Sequence, residues 1–363
     1  MKLNRFLLVF ITAMIVLILQ IPVSYAAEII ESGECGWNIT WTVDSNGLMT
    51  ISGEGDMWDD FVMIDRRTTI WDTRESVIEV IIEDGVESIG EMALSFKNLK
   101  NVTIPNSVKT IKKNAFWRCD ALESIYIPAG VTSISPLAFQ DCTSLERIDV
   151  SDQNTVYKSL NGMLVSKDGK TIHYCPLAIA NIENFKVPNG IEIIGDYAFY
   201  YNRNLKTITF PSTLTSILDY SFEWCTKLRT VTIPDSVTHI GHRAFGDCKM
   251  LKTITIPGSV KEWGVYVFEL CDALETATFL QGVTEIPESG FFKSNKLKTV
   301  YIPSTVKYIK DYAFEKCWGL TDVYFGGSEY DWNNNMRYGK DILLFLKDVN
   351  VHYNYFVEDP NSF

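Results

Sequence analysis

The sequence lacks an excess of positive charge. Its 33 lysines and arginines stand against 45 aspartates and glutamates, which gives a formal net charge of −12. A protein that binds nucleic acid or anionic lipid needs a basic surface to neutralise phosphates, so this balance argues against both partners. With 46% apolar and 21% charged residues, the composition is typical of a folded protein and not of a disordered one.

Signatures of catalysis are also missing. Neither a G-x-S-x-G nucleophile elbow nor a G-x-x-x-x-G-K-[ST] phosphate loop occurs in the sequence. Carboxylate pairs such as Asp59-Asp60 exist, but nothing in the sequence places two carboxylates across a cleft as glycosidases require. We therefore predict a chain with no catalytic residues and no cofactor.

Long apolar runs are scarce, and the single one is at the N-terminus. Residues 6–23 form this run after Lys2 and Arg5, and small residues that permit cleavage after Ala26 follow it. The pattern predicts an export signal at residues 1–26. The alternative is an uncleaved anchor, because the run is nearly long enough to span a bilayer. We expect a secreted or cell-surface protein that inserts nothing into a membrane once the signal is removed.

What the sequence does contain is a repeat of 23 residues. Its frame, L-x-x-I-x-I-P-x-S-V-x-x-I-x-x-x-A-F-x-x-C-x-x, is clear in LRTVTIPDSVTHIGHRAFGDCKM, which starts at Leu228. Eight of the ten spacings between anchor residues are 23; one is 22, and one is 37 because 14 extra residues follow Leu145. This register predicts an array of about 11 units at residues 77–326. The anchors are Val77, Leu99, Leu122, Leu145, Ile182, Leu205, Leu228, Leu251, Leu274, Leu297 and Leu320.

Each part of the frame predicts a local structure. In L-x-x-I-x-I the apolar positions alternate, which indicates a short strand with one buried face, and the proline ends it. V-x-x-I returns a second apolar pair toward the interior, and the spacing in x-x-x-A-F-x-x-C suits one or two helical turns. Because one unit cannot bury its apolar face alone, stacked units about 4.8 Å apart must share a continuous core.

This frame resembles the BspA-type leucine-rich repeat of bacterial surface proteins. Residues 35–60 are similar to the β-rich segment that often precedes such arrays, and residues 323–335 are similar to a common terminator. The resemblance implies a repeat solenoid: a leucine-rich-repeat horseshoe or rod with a parallel β-sheet on the concave face, short helical or irregular turns on the convex face, and a β-rich N-terminal cap. The family offers no catalytic residues to carry over, and it implies adhesion or protein recognition.

One segment interrupts the array. The unit that starts at Leu145 loses its proline, and alternating residues flank Asp168-Gly169, which predicts an inserted β-hairpin at about residues 151–176. The insert either covers a break in the array or serves as a recognition loop.

Both ends of the array need caps, because an open end exposes core and an unpaired strand edge. Residues 27–76 are predicted to form a small sheet that the tryptophan pairs fill, and residues 327–363 a C-terminal cap and tail. The cap at the C-terminal end is expected to contain a short helix at residues 329–336 and a closing strand near residues 348–354. The tryptophan pairs are Trp37 with Trp41 and Trp58 with Trp71.

Six of the eight cysteines occupy one column of the repeat, where other units carry Asn202 and Ser294. Export would permit disulfides, and neighbouring units lie near enough for them. However, stacked parallel side chains point the same way, and Asn and Ser replace Cys, so we predict a structural ladder of buried free thiols. No pairing is predicted for Cys35 and Cys175. The ladder consists of Cys119, Cys142, Cys225, Cys248, Cys271 and Cys317.

The stretch HIGHRAFGDC contains the ligand types of a metal site, namely His239, His242, Asp247 and Cys248. In the repeat register, the columns of both histidines are variable and mostly polar, as solvent-facing turn positions are, and Cys248 belongs to the buried ladder. The four side chains are therefore not expected to converge, and no metal site is predicted. The two histidines interpreted as isolated are His173 and His352.

The residues two and four positions after each anchor point away from the predicted core. Threonines fill both columns over four units, tyrosines lie toward both ends, and a line of cations precedes the strands. Strand propensity alone accounts for exposed threonines. The alternative is a flat, hydroxyl-rich concave face that docks a partner, with tyrosine and arginine as anchors. The predicted contact residues are Tyr126, Arg147, Arg229, Tyr301 and Tyr324.

Three functions remain open from the sequence. We favour a non-catalytic recognition protein whose ligand is a protein or a glycan, and we expect a monomer. The second is a glycan-binding or carbohydrate-active module on the same scaffold, which would require converging titratable groups. The third is a passive structural spacer, whose outward tyrosines would be dispensable.

Overall fold

The computed structural model of the chain describes residues 27–59, 74–179 and 184–355. The predicted export signal at residues 1–26 lies outside these ranges, as do Asp60, Trp71 and the anchor Ile182. Within the ranges, no helix is both long enough and apolar enough to cross a bilayer. The fold is a parallel β-solenoid of about 11 turns, which confirms the predicted fold class.

The N-terminal segment forms an antiparallel sheet that continues into the array. Its strands are β1 (Ile29–Gly36), β2 (Ile39–Asp44) and β3 (Leu48–Gly53), followed by a short β4 (Gly55–Asp56). β3 pairs in parallel with the first array strand, so the sheet edge is covered. Trp41 is buried, but the expectation that Trp37 fills this sheet is wrong. Trp37 falls in the turn between β1 and β2, is 91% exposed, and contacts only the edge of Trp58 at 6.1 Å between ring centroids.

The L-x-x-I-x-I segments form the strands of the first sheet, as predicted. Most consecutive strands pair in parallel and in register, so Ile208 aligns with Val231 and Ile254 with Ala277. All four of these side chains point into the core. The first-sheet strands are β5 (Glu79–Ile82), β7 (Asn101–Thr103), β9 (Ser124–Ile127), β11 (Arg147–Val150), β15 (Asn184–Lys186), β17 (Thr207–Thr209), β19 (Thr230–Thr232), β21 (Thr253–Ile256), β23 (Thr276–Phe279), β25 (Thr299–Ile302) and β27 (Asp322–Phe325). Among these consecutive strands, β7 and β9, β11 and β15, and β19 and β21 are not paired.

The V-x-x-I segments form a second parallel sheet of two- to four-residue strands, which the apolar pair alone did not predict. Its isoleucines, such as Ile217 and Ile240, align in register and are fully buried. The second-sheet strands are β6 (Val86–Ile89), β8 (Thr110–Ile111), β10 (Ser133–Ile134), β16 (Ile193–Ile194), β18 (Ser216–Ile217), β20 (His239–Ile240), β22 (Glu262–Trp263), β24 (Glu285–Ile286) and β26 (Tyr308–Ile309).

The A-F-x-x-C segments form irregular turns, so the helical alternative is wrong for the described array. A residue with positive φ precedes the alanine column and another precedes the cysteine column in most units, for example Arg243 at 48° before Ala244 and Asp247 at 57° before Cys248. A left-handed residue at every fourth position ends any right-handed helix. In this conformation the turns of neighbouring units form a ladder of backbone hydrogen bonds. For example, the Phe222 amide donates to the Ala244 carbonyl at 2.8 Å.

Two ladders fill the space between the sheets and these turns. The phenylalanines stack nearly parallel, with Phe222 and Phe245 at 5.2 Å and 5°. The six predicted ladder cysteines are buried beside them, and all eight cysteines of the chain are free and buried. Because each unit meets the next with the same side chains, one apolar core runs along each half of the array.

The insert joins the two halves. It is a three-stranded antiparallel meander of β12 (Tyr157–Leu160), β13 (Met163–Ser166) and β14 (Thr171–Tyr174), one strand more than the predicted hairpin. The additional turn is Asn161-Gly162, both with positive φ, which is a strong hairpin signal that the sequence analysis overlooked. β14 pairs with β16 and continues the second sheet.

The C-terminal segment closes both sheets. Its elements are α1 (Glu329–Asn334), β28 (Arg337–Tyr338), α2 (Ile342–Leu346) and β29 (Asn350–His352). β28 pairs with β26 in the second sheet, and β29 with β27 in the first. Ser328 and Asp331 form a capping box at the start of α1. The apolar ends of both sheets are thereby covered.

Candidate binding surface

The outward face of the first sheet carries two rows of threonines. β17, β19, β21 and β23 each place two of them outward, and all eight are exposed or partly exposed. Register pairing aligns Thr207 with Thr230 and Thr209 with Thr232. Between β19 and β21 the strands are not hydrogen-bonded as one sheet, and a groove of about 290 Å³ lies there among Thr232, Thr255 and their neighbours. The face is therefore polar and flat, with one shallow groove.

A line of cations runs along the rim of this face. Arg229, Lys252 and Lys298 are exposed, and the carboxylate of Glu275 interrupts the line between the last two. Their backbone amides join successive units, since the Arg229 amide donates to the Lys206 carbonyl at 2.8 Å. The predicted contact residue Arg229 thus lies beside the threonine rows and not within them.

Tyr126 and Arg147 form a patch near the N-terminal half of the face. Tyr126 on β9 is 54% exposed and lies opposite Asp149 on β11. Arg147 pairs with that same carboxylate, with 2.9 Å between its Nε and Asp149 Oδ2. The pair is well exposed, so its contribution to stability is small. It holds a guanidinium and a tyrosine ring next to each other.

An aromatic cluster closes the other end of the face. The rings of Tyr301 and Tyr324 stack at 4.9 Å, and His352 stacks on Tyr324 at 4.4 Å. Tyr355 contacts both tyrosines, at 5.2 Å and 4.9 Å. His352 Nε2 lies 2.9 Å from Asp322 Oδ1, and this hydrogen bond lowers the pKa of that carboxyl. The four rings form one partly exposed platform.

The interpretation of His352 as isolated is wrong. β29 adds a strand beside β27, and this pairing brings His352 directly opposite Tyr324. The separation of 28 residues between them is not a repeat spacing, so the register could not align them. His173 is not isolated either, because its ring meets the Tyr157 ring edge-on at 5.4 Å.

The five predicted contact residues do not converge on one spot. Tyr126 and Arg147 lie on neighbouring strands, Tyr301 and Tyr324 on another neighbouring pair, and Arg229 between them. Seven strand-to-strand steps of the first sheet separate β9 from β25, which at about 4.8 Å a step amounts to roughly 34 Å. The face offers two aromatic patches with the threonine rows between them.

The stretch HIGHRAFGDC supplies Arg243 and Asp247 to a buried ion cluster. Arg243 Nε lies 2.5 Å from Glu223 Oε1, and its other nitrogens contact Glu269 and Asp247. Asp247 is only 1% exposed, although its column elsewhere holds Arg118, Trp224 and Lys316. Burial raises the pKa of Glu223, Asp247 and Glu269. Among the residues that the structure describes, no group of three His, Cys, Asp or Glu side chains could hold a metal ion.

The thiols of the cysteine ladder serve as buried hydrogen-bond donors. Cys225 Sγ donates to the Phe199 carbonyl at 3.3 Å, and Cys248 Sγ to the Phe222 carbonyl at 3.4 Å. Ser294 makes the same contact with Phe268 at 2.8 Å, which explains why Ser replaces Cys in this column. Burial raises the pKa of the Cys317 thiol to about 12 and that of Cys248 well above its usual value. These thiols are therefore poor nucleophiles.

Comparison with known proteins places this geometry in a family. A model described as the BspA type leucine rich repeat region matches six copies in the chain, at residues 70–162, 170–291 and 216–341. No protein with a curated description matches it. A leucine-rich repeat protein from Eubacterium ventriosum is similar in structure, with a TM-score of 0.55, 20% identity, and coverage of 93% of this chain and 98% of that one. The pneumococcal vaccine antigen PcpA has a TM-score of 0.60 at 20% identity, with coverage of 93% and 100%. At these identities the two structures show a shared fold.

Proposed function

The chain belongs to the BspA-type leucine-rich repeat family, and on that premise we propose that it is a non-catalytic recognition protein of the cell exterior. It binds a partner protein, as adhesion proteins do, through the outward face of the first sheet. The description of PcpA as a vaccine antigen supports a location outside the cell. So does the predicted export signal.

The observation that carries this proposal is the aromatic platform at the end of the threonine rows. Tyr301, Tyr324, His352 and Tyr355 contact one another and keep part of each ring exposed. Rings that support each other lose little conformational entropy on binding, which is why tyrosines are frequent interface anchors. A sheet whose only role was to stack the repeat units would need no aromatic platform on its outward face.

A catalytic role has less support. The titratable groups of the face are paired or dispersed: Arg147 with Asp149, His352 with Asp322, and the rim cations apart from both. Neither aromatic patch combines a nucleophile, a base and an enclosed cavity, which catalysis of acyl, phosphoryl or glycosyl transfer would require. We therefore propose binding without turnover.

The test is a binding survey with purified protein on an array of extracellular matrix proteins and host-cell surface proteins. We expect at least one protein to bind, and we expect the variant with Tyr301→Ala and Tyr324→Ala to lose that binding. The variant Tyr308→Ala, on β26 of the second sheet, is the matched control. Failure to bind any protein would contradict the proposal. Binding that survives the double substitution in a folded variant would assign the contact to another surface and contradict the role of the platform.

A further inference from the structure

The unit that contains the insert does not form an A-F-x-x-C turn, so one turn is missing from the side of the solenoid on which these segments stack. The Cys175 amide donates to the Ala198 carbonyl at 2.8 Å, so Cys175 occupies the position that phenylalanine has in other units. The chain then leaves the stack, and the Ala178 amide bonds to the Leu145 carbonyl at 3.2 Å. Tyr174 fills the core at this point, with its ring 5.5 Å from that of Phe139. Between Cys175 and Ile179, the described residues form no turn of the A-F-x-x-C type.

The missing turn leaves a cavity, which we call the notch. Its volume is about 520 Å³, within the range of roughly 300–1,000 Å³ that small-molecule sites occupy. Asp141 and Thr143 line one side, Tyr201 and Asn204 the other, and Leu177 also contributes. A second cavity of about 380 Å³ adjoins it, and Trp117, Arg118 and Asp120 line both.

One residue of the notch lining carries an unpaired buried amide. Asn202 stands in the cysteine column, whose members donate to the phenylalanine carbonyl of the preceding unit, as Cys225 does to Phe199. The unit before Asn202 has no phenylalanine at that place. Asn202 is 1% exposed and lines the notch, and its Nδ2 has no hydrogen-bond partner among the described residues. A buried donor without a partner is rare in folded proteins, and a ligand would satisfy it.

The charged side chains of the notch offset one another, and aromatic rings lie beside its two cations. Arg118 lies 5.5 Å from the Trp117 ring centroid, and Arg203 lies 3.8 Å from that of Tyr201, so each guanidinium rests against a neighbouring ring. Asp120 and Asp141 offset these two cations. Asp120 accepts a hydrogen bond from Thr143 at 3.2 Å. The site therefore presents donors, acceptors and ring faces without a net charge.

We propose that the notch binds a neutral oligosaccharide. Sugar hydroxyls both donate and accept, so they match the Asn202 amide together with the carboxylates of Asp120 and Asp141. The apolar face of a sugar ring would lie on Trp117, which lines both cavities. The adjoining cavity leaves room for further sugar units beyond the notch. An anionic ligand gains little from the notch itself, because its lining holds two cations and two carboxylates. This inference is independent of the protein-binding face.

The test measures binding of a defined panel of neutral oligosaccharides by isothermal titration calorimetry with the full chain. The panel consists of cellotetraose, maltotetraose, xylotetraose, mannotetraose and chitotetraose. We expect at least one to bind. We expect Trp117→Ala and Asn202→Cys each to weaken that binding by about tenfold, since each removes one specific contact. Asn202→Cys introduces the residue that this column carries in six other units, so the fold tolerates it.

The control variant is Trp318→Ala, because Trp318 is 75% exposed and does not line the notch. It should bind the same tetrasaccharide with unchanged affinity. The proposal is overturned if no member of the panel binds, or if binding is insensitive to both notch substitutions. It is equally overturned if the notch binds a heparin-derived oligosaccharide or a peptide in preference to every neutral sugar.

Discussion

At the scale of single residues, Arg243 compensates a cluster of buried carboxylates. Asp247 of its own unit and Glu223 and Glu269 of the two neighbouring units contact its guanidinium, and the three acidic side chains are exposed by only 2%, 7% and 9%. Without the arginine, three buried carboxylates would remain together. Burial with partial compensation raises the pKa of each, so the folded protein holds their protons more tightly than the unfolded chain does.

The variant Arg243→Met should lose about 3 kcal/mol of the free energy of unfolding at pH 7, because uncompensated buried charge is costly. The loss should shrink near pH 4. The folded-state pKa values are raised, so the carboxylates of the folded variant take up protons as the pH falls, and neutral carboxyls do not need the arginine. Urea unfolding at both pH values measures this, with the exposed Arg229→Met as control. An equal loss at both pH values would contradict the assignment.

The buried thiols should be unreactive in the folded protein. Burial raises the pKa of Cys35 and that of Cys317 to about 12, so little of either thiolate exists at pH 8. We expect a thiol reagent such as Ellman's reagent to label none of the eight cysteines in native protein, and all eight after unfolding in guanidinium. Rapid labelling of even two thiols in the folded protein would show that the ladder is not buried as described.

The sequence predicted the residues that recur and missed those that do not. Cys248 and Phe245 were placed in the interior because their columns repeat. Asp247 was not, since its column elsewhere holds Arg118 and Trp224, and burial there depends on a partner that only one unit supplies. The 23-residue repeat shows only the features that all units share. An ion cluster that occurs once in the array therefore cannot be predicted from it.

At the scale of elements, the insert is part of the stack. Tyr157, Leu164 and Tyr174 pack with the N-terminal half of the core, while Val165 and Ile172 pack with the C-terminal half. β14 meanwhile continues the second sheet. The insert therefore joins two apolar cores, which supports the interpretation that it covers a break in the array. The notch beside it is the consequence of the turn it omits.

Asn154 anchors this insert, and its removal should be costly. The side chain donates to the Pro128 and Val131 carbonyls at 3.0 Å and 2.8 Å, and it accepts from the amides of Val156 and Tyr157. We expect Asn154→Ala to lower the free energy of unfolding by about 3 kcal/mol, since several buried polar groups lose their partner together.

Gln153→Ala is the matched control, because Gln153 is exposed and adjacent in the chain. It should stay within about 0.5 kcal/mol of the unchanged protein in urea unfolding. A loss below about 1 kcal/mol for Asn154→Ala would mean that the insert is attached loosely and acts as a separate loop.

The sequence pattern of the A-F-x-x-C segment could not determine the conformation of the turns. The spacing in A-F-x-x-C fitted a helix and an irregular turn equally well, because both return apolar residues after three or four positions. Hydrogen bonds between units decide the outcome: the amide of Tyr197, a residue of positive φ, donates to the Asp219 carbonyl at 3.0 Å, and the Phe199 amide donates to the Ser221 carbonyl at 2.8 Å. Stacking of neighbours, which no single unit encodes, selects the irregular turn.

At the scale of the whole molecule, the fold followed from the repeat and the candidate site only in part. The register predicted the first sheet, its inward and outward residues and the exposed threonine rows. It did not align His352 or Tyr355 with Tyr324, because the closing strand β29 departs from the period. The aromatic platform is therefore a product of the C-terminal cap, and it could be found only once that cap was placed beside the array.

We propose above all that a partner protein docks on the outward face of the first sheet. The most direct measurement compares two arginine substitutions by surface plasmon resonance with whichever protein the binding survey identifies. Thr255→Arg puts a bulky cation in the middle of the threonine rows, and Ser216→Arg puts the same side chain on the second sheet. Thr255→Arg should weaken binding by at least about tenfold, the loss expected from disrupting the centre of an interface, while Ser216→Arg should leave it unchanged. Unchanged binding of folded Thr255→Arg, together with loss in Ser216→Arg, would contradict the account.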